Sequence, residues 1–188
     1  MFRLTANYCL VCGHKLETRN IGGTLRRACP ACDFVHWGTY SIGVGAVVVR
    51  DGKVLLVRRA QDPGRGLWTN PGGFSEQLEV IDKGIEREVL EETGVVATAS
   101  RIISMRDKPG EAHNLYVVFL MDYVEGEPRS DDVEVDAAGF FSPEEMAGMN
   151  VAGLTRWLVG AALNGSGGGL VLDEEPTLSQ KGNRLFRV

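Results

Sequence analysis

Long apolar runs are missing from this 188-residue chain: the longest, Ile42 to Val49, has eight residues, and a membrane-spanning helix needs about 20. The opening MFRLTANYC also lacks the apolar core of a signal peptide. A cytoplasmic protein with no membrane partner is therefore expected. Positive charge is in deficit, with 20 basic residues against 25 acidic and a net charge of −5. That balance argues against a surface built for nucleic acid. No internal repeat is visible, and 44% apolar with 24% charged residues is an ordinary globular composition. The charge is unevenly placed, at +3 over residues 1–36 and −8 over residues 37–188. A small basic head precedes an acidic body.

Cysteine is scarce, but its four copies are ordered as two C-x2-C pairs, Cys9/Cys12 and Cys29/Cys32, with sixteen residues between them. In a reducing compartment disulfides are disfavoured, whereas two such pairs close the tetrahedron that Zn²⁺ prefers. Four thiolates leave no open position for a catalytic water, so the zinc is expected to be structural. A thioredoxin-like redox motif is the competing reading, although one pair would suffice for it. His14 and His36 lie nearby and could replace a cysteine; two surface histidines on a small ribbon is the plainer assignment. Residues 1–36 form a segment short enough to need a metal in place of a large core.

From Ser41 the pattern changes. SIGVGAVVVR and KVLLVRR read as strands around an Asp51-Gly52 hairpin turn. QDPGRGLWTNPGG reads as loop, and Glu79 to Glu92 as a helix with Ile81, Ile85 and Val89 on one stripe, ended by Thr93-Gly94. Strands are expected at about 95–106, 114–124 and 137–141, then a helix opened by Ser142-Pro143 and another over roughly 152–163. The body is therefore a mixed α/β domain over residues 37–163, followed by a tail over 164–188.

On the predicted helix Glu88, Glu91 and Glu92 span only about 100° of arc, so three carboxylates share one face. Such a cluster is unfavourable without counterions and suits hard cations such as Mg²⁺ or Mn²⁺. A solvated acidic face paired with Lys83 and Arg87 is the competing reading. Gly84, one turn before Glu88, is expected to leave room there. Gly73, Glu79, Arg87, Glu88, Val89, Glu91, Glu92, Gly94 and Val95 stand in the pattern G-x5-E-x7-R-E-U-x-E-E-x-G-U, where U is aliphatic. This segment resembles the box of the Nudix hydrolases, and nine matched positions in 23 residues is a specific match. GLWTNPGGF and GFFSPEEM resemble the family's flanks, and the four-cysteine head resembles its zinc-ribbon branch. Leu78 and Gly84 stand where the family more often has Gly and Ala.

The resemblance implies an α/β/α sandwich around a mixed sheet, preceded by the ribbon. It further implies a Mg²⁺-dependent (or Mn²⁺-dependent) pyrophosphatase acting on a small nucleoside diphosphate derivative. Glu88 and Glu92 would be the main metal ligands, with Glu91 sharing metal or base duty and the Gly72 carbonyl adding a backbone ligand. Arg87 would orient the carboxylates, and Gly73 and Glu79 would support them. Members of the family place the general base on the box or on a later loop. Glu134 in DDVEVDAAGFF is the candidate here, set against a plain strand-edge carboxylate. The array S-Q-P-W-P-F-P of NADH pyrophosphatases is absent from residues 96–135, which ranks FAD and ADP-ribose above NADH. Removal of NAD-type caps from RNA and a non-catalytic ligand sensor are the alternatives, and a homodimer stays open. Trp68 or Phe74 could stack on a base, with packing the favoured role for Trp68. Arg106, Lys108 and His113 in RDKPGEAHN offer phosphate or sugar contacts, or merely a polar hairpin connection.

Overall fold

The computed structural model describes residues 6–164, 168–172 and 186–187. The chain divides into two compact units, one of residues up to Ser41 with Asp107–Asn114, the other of Ile42–Arg106 with Leu115 onward.

In the first unit β1 (Glu17–Ile21), β2 (Thr24–Ala28) and β3 (Val35–His36) form an antiparallel sheet in that order. Ile21 faces Thr24 across a two-residue turn whose residues, Gly22 and Gly23, both have positive φ, the geometry that matches strand twist. Its interior is made of Cys9, Leu16 and Cys29, with Ala6, Cys32 and Phe34 packed against them. So few apolar side chains bury too little surface to hold a fold alone.

The second unit carries the layers. β4 (Thr39–Arg50) and β5 (Lys53–Arg59) make the expected hairpin, Val49 facing Val54. The remaining elements are β6 (Trp68–Thr69), β7 (Gly72–Phe74), α1 (Ile81–Thr93), β8 (Val96–Lys108), β9 (Ala112–Glu125), β10 (Val135–Phe141), α2 (Pro143–Ala147), α3 (Gly153–Asn164), β11 (Leu170–Leu172) and β12 (Phe186–Arg187). The large sheet runs β10-β5-β4-β9-β8-β11-β12, with β6 on β5 and β7 on β4. Alternation along the strands sorts the core into two faces. Val44, Ala46, Val48, Leu55, Val117 and Phe119 pack with Ile85 and Val89 of α1, while Val47, Val54, Leu56 and Val118 pack with Met146, Leu158 and Val159 of α2 and α3. This is the expected α/β/α arrangement. Ile85 and Val89 are fully buried, each contributing roughly 1.5–3 kcal/mol of apolar burial.

Local signals set the helix ends. Gly94 takes the left-handed conformation at φ 67° and its N–H donates to Leu90, the usual way to stop a helix. Ser142 caps α2 in a full capping box with Glu145, and Pro143 occupies the first turn.

Three expectations need correction. The stretch read wholly as loop contains β6 and β7, because the backbones of β5 and β4 offer them pairing partners at Val57 and Arg58 and at Gly43–Gly45. The connection between β8 and β9 shrinks to residues 109–111 as both strands extend into it. α1 begins at Ile81 rather than Glu79. Of the tail, β11 joins the sheet edge beside β8 and pairs with β12; residues 165–167, 173–185 and 188 lie outside the described set. Among the described residues no helix is long and apolar enough to cross a membrane.

Candidate active site

The second unit holds a cavity of about 320 Å³ lined by Gly73, Phe74, Glu76, Arg87, Glu88, Glu91, Glu92, Asp131 and Glu134. Three sequence-distant pieces meet there: the β7 strand, the outer face of α1, and the loop before β10. α1 delivers the carboxylates as its periodicity requires. Its buried stripe seats Ile85 and Val89 in the core, which turns Glu88 and Glu92 toward the cavity edge.

Arg87 ties the acids together. Its guanidinium donates to both oxygens of Glu79 at 3.0 and 3.1 Å, to Glu88 Oε1 at 3.0 Å and to Glu91 Oε2 at 2.9 Å. The fork on Glu79 is the strong, bidentate kind, and it holds the Glu79 carboxyl below its ordinary range. Gly84 serves this pair: a Cβ there would sit 2.8 Å from Glu79 Oε2. The room it leaves is for Glu79, not for Glu88 as expected from the sequence. Gly73 makes the room beside Glu88, since a Cβ at that position would lie 2.5 Å from its carboxyl atoms.

Glu92 is the buried member. Its Oε2 accepts from the Gly72 N–H at 3.0 Å. Burial pushes its carboxyl up to about 8 despite that donor, and Glu88, Glu134 and Asp131 add repulsion. Burial also raises Glu88, against the pull of Arg87. The residues present therefore fit a hard divalent cation. The donors are carboxylate oxygens, six acidic side chains and one arginine line the cavity, and burial together with three neighbouring acids raises the most buried of them, which a cation would offset.

Glu134 does reach the cavity. Its loop is fixed by Asp131, whose Oδ1 accepts from the N–H groups of Val133, Glu134 and Val135 at 2.9, 3.0 and 3.0 Å. Those donors outweigh burial and hold Asp131 below the usual carboxylate range. Sequence reasoning missed Asp131; its signal is an Asp placed two to four residues before the N–H groups it gathers. Phe74 stands on the rim, 65% exposed. Trp68 packs edge-on against Phe141 at 4.9 Å in the second core, which is the packing role favoured for it. Arg106 lies over the Tyr116 ring at 5.1 Å. His113 pairs with Asp107 and stacks on Tyr40. None of Arg106, Lys108 and His113 lines the cavity.

In the first unit the four cysteine sulfurs all lie within 4.8 Å of one another, at 3.4–3.6 Å for the contacting pairs. Thiolates tetrahedral about zinc stand about 3.8 Å apart, given a Zn–S distance near 2.3 Å. Backbone N–H groups of Val11 and Ala31 approach Cys9 and Cys29 at 3.4 Å, as zinc knuckles require. Against the cost of burial, backbone donors bring Cys9 down to about 6. Despite a donor near Phe34, burial and the neighbouring sulfurs push Cys32 up to about 12. Four thiolates this close cannot all ionise without a cation between them, so the group fits zinc. Neither His14 nor His36 belongs to it among the described residues.

The family model for the NUDIX domain matches residues 39–158, well over half of the chain. The chain belongs to the Nudix family. This Nudix protein is 31% identical over 104 residues to a protein of Methanocaldococcus jannaschii named ADP-ribose pyrophosphatase, covering 54% of this chain and 61% of that one. It is 30% identical over 139 residues to one of Chromobacterium violaceum named NAD-capped RNA hydrolase NudC, covering 73% and 52%. The chain thus spans between half and two thirds of the length of these relatives. Among solved structures, a NUDIX hydrolase from Nitrosomonas europaea superposes with a TM-score of 0.74 at 24% identity, covering 85% of this chain and 94% of that one. That likeness speaks for the fold.

Proposed function

We propose that this Nudix protein is a divalent-metal-dependent pyrophosphohydrolase that cleaves the diphosphate of an adenine dinucleotide, with ADP-ribose and FAD first in rank, and releases AMP. The observation that carries it is the single cavity lined by the buried Glu92, the half-buried Glu88, the loop carboxylate Glu134 and Arg87. A relative named for ADP-ribose supports the substrate class, and the missing NADH array sets NADH lower. Glu88, Glu92, Glu91 and the Gly72 carbonyl are the groups that would hold Mg²⁺ or Mn²⁺, which would neutralise charge on the phosphates and make a bound water easier to deprotonate for attack. Arg87 keeps Glu88 and Glu91 oriented, and the Arg87–Glu79 fork keeps Arg87 itself in place. Glu134, fixed by Asp131, takes the proton from the attacking water. Phe74 offers an exposed aromatic face at the mouth for a base or ring of the substrate. The ribbon of residues 1–36 holds a structural Zn²⁺ and takes no part in the chemistry.

With Mg²⁺ and a panel of ADP-ribose, FAD and NADH, the protein converts the first two to AMP and the second monophosphate. In H₂¹⁸O the heavy oxygen enters a phosphate product, because water attacks phosphorus. Failure to turn over any of the three with Mg²⁺ or Mn²⁺ overturns the reading and favours a ligand sensor. Turnover of NAD-capped RNA alone favours cap removal, the activity named for the Chromobacterium relative.

The state of Glu92 adds a pH dependence. Its carboxyl holds a proton up to about pH 8 in the metal-free fold, so an incoming cation must displace that proton. Mn²⁺ affinity therefore rises with pH, levels off above about 8, and binding below that point releases protons. The metal-free fold has the opposite trend, because a raised acid favours folding below the ordinary value of 4.5 and loses that contribution as pH climbs through about 8. Calorimetric Mn²⁺ titrations at several pH values in two buffers of different ionisation enthalpy measure both effects. An affinity indifferent to pH would remove Glu92 from the ligand set.

A further inference from the structure

We propose that Asn70, clamped between Thr155 of α3 and Tyr116 of β9, is a positioning residue that aims the Pro71–Gly72 backbone at Glu92. The inference rests on reading the carboxylate cavity as the reaction site. Asn70 and Thr155 are buried, and their hydrogen bonds close on one another. The Asn70 N–H donates to Thr155 Oγ1 at 3.2 Å, and that hydroxyl donates to Asn70 Oδ1 at 3.0 Å. The two protons of Asn70 Nδ2 go to the Tyr116 hydroxyl at 3.0 Å and to the Pro71 carbonyl at 3.2 Å. Every polar group of the amide is used, which defines one rotamer and one backbone orientation.

A side chain needed only to fill space at this depth would be apolar, since burying an amide is costly unless each partner is supplied. Here the partners come from elements distant in sequence, and the structure makes room for them. The Tyr116 ring lies across two glycines of β4: a Cβ on Gly43 would sit 2.8 Å from Tyr116 Cδ2, and one on Gly45 2.1 Å from its hydroxyl. The G-x-G of SIGVGAVVV is the bed for that ring.

What the clamp fixes is the next peptide. The Pro71 carbonyl, held by Asn70, also accepts from Ala46 N at 2.9 Å. Gly72 is then seated so closely on β4 that a Cβ would be 2.2 Å from the Val44 carbonyl oxygen. From there its N–H meets Glu92 Oε2 at 3.0 Å, and Gly73 abuts Glu88. α3 contributes no side chain to the cavity, yet through Thr155 it sets the donor that Glu92 receives.

Thr155→Val removes the hydroxyl at nearly constant volume, Thr155→Ser keeps it, and Tyr116→Phe removes only the phenolic oxygen. Three quantities are read for each: the melting temperature, kcat and KM on ADP-ribose, and Mn²⁺ binding followed by the resonance of the free ion. Thr155→Val is expected to lower kcat and weaken Mn²⁺ binding by about 10-fold or more, the range for losing a group that orients a metal ligand. KM is expected to stay within about twofold, because no substrate contact is removed. Thr155→Ser should recover both, and Tyr116→Phe should move both in the same direction by less. A folded Thr155→Val protein with wild-type kcat and Mn²⁺ binding overturns the inference, as does a Thr155→Ser protein no better than Thr155→Val. Should Thr155→Val fail to fold, Tyr116→Phe decides: unchanged Mn²⁺ binding and kcat overturn the positioning role. Glu92→Gln separates the two levels. If it leaves Mn²⁺ binding and turnover intact, the reading of the cavity itself falls; if it abolishes both while the Thr155 and Tyr116 variants match wild type, only the positioning role falls.

Discussion

Glu92→Gln is expected to lower kcat on the order of 10³-fold while leaving the protein as stable as before or more so. The activity loss follows from the place of Glu92, the most deeply buried acid of the cavity and the one held by the Gly72 N–H. Losing a group one layer out from a metal costs about 10–100-fold, and a direct charged ligand costs more. The stability follows from the same burial. Glu92 holds its proton up to about pH 8 without metal, so at neutral pH the metal-free fold already contains a neutral side chain there. Gln reproduces that state, keeps an oxygen to accept from Gly72, and has similar helix propensity. A residue whose removal costs activity and spares the fold is one the fold does not need. Thermal melts in chelator, with steady-state rates across a Mg²⁺ series, test both halves. Near-normal turnover in saturating Mg²⁺ sinks the proposed metal site, and a large drop in melting temperature assigns Glu92 to the core instead.

Features that depend on neighbours along the chain were legible in the sequence, and features that depend on contacts across the sheet were not. The Asp51-Gly52 turn, the Ile81/Ile85/Val89 stripe, the Gly94 stop and the Ser142 cap each rest on residues a few positions apart. The spacing of Glu88, Glu91 and Glu92 is likewise a matter of helical pitch. β6 and β7 were hidden inside a Gly/Pro-rich stretch because their pairing is with β5 and β4, and a two- or three-residue strand has no alternation to read. Gly84 makes room for Glu79 and not for Glu88 for a related reason. The chain path before α1 folds Glu79 back over Gly84, which a helical wheel starting at Glu79 does not contain. The partners of Asn70 lie 46 and 85 residues away, and nothing in TNPGG itself announces them. Asp131 is intermediate, since its turn is local but its arrival at the cavity depends on β10 pairing with β5.

Replacing either Cys29 or Cys12 by Ser is expected to cost the protein its zinc and the fold of the first unit, and to change the rate of still-folded molecules far less. The two positions make the experiment decisive because they differ in burial: Cys29 is 1% exposed, whereas Cys12 is exposed. If the cysteines served only as small core residues, Cys29→Ser would destabilise and Cys12→Ser would be nearly silent, as exposed substitutions usually are. If the four sulfurs hold Zn²⁺, both variants lose a thiolate from the same tetrahedron and fail together. The energy at stake is large, about 10–16 kcal/mol for structural zinc in small peptides at neutral pH. That is far more than the Cys9, Leu16 and Cys29 interior can replace. Metal analysis of the wild type purified without chelator should find one zinc per chain, and hydrogen exchange should show β1 to β3 losing protection in both variants. Activity normalised to folded protein should stay within a few-fold, since no cysteine lines the carboxylate cavity. Silence at Cys12 with loss at Cys29 would reduce the ribbon to a packing motif.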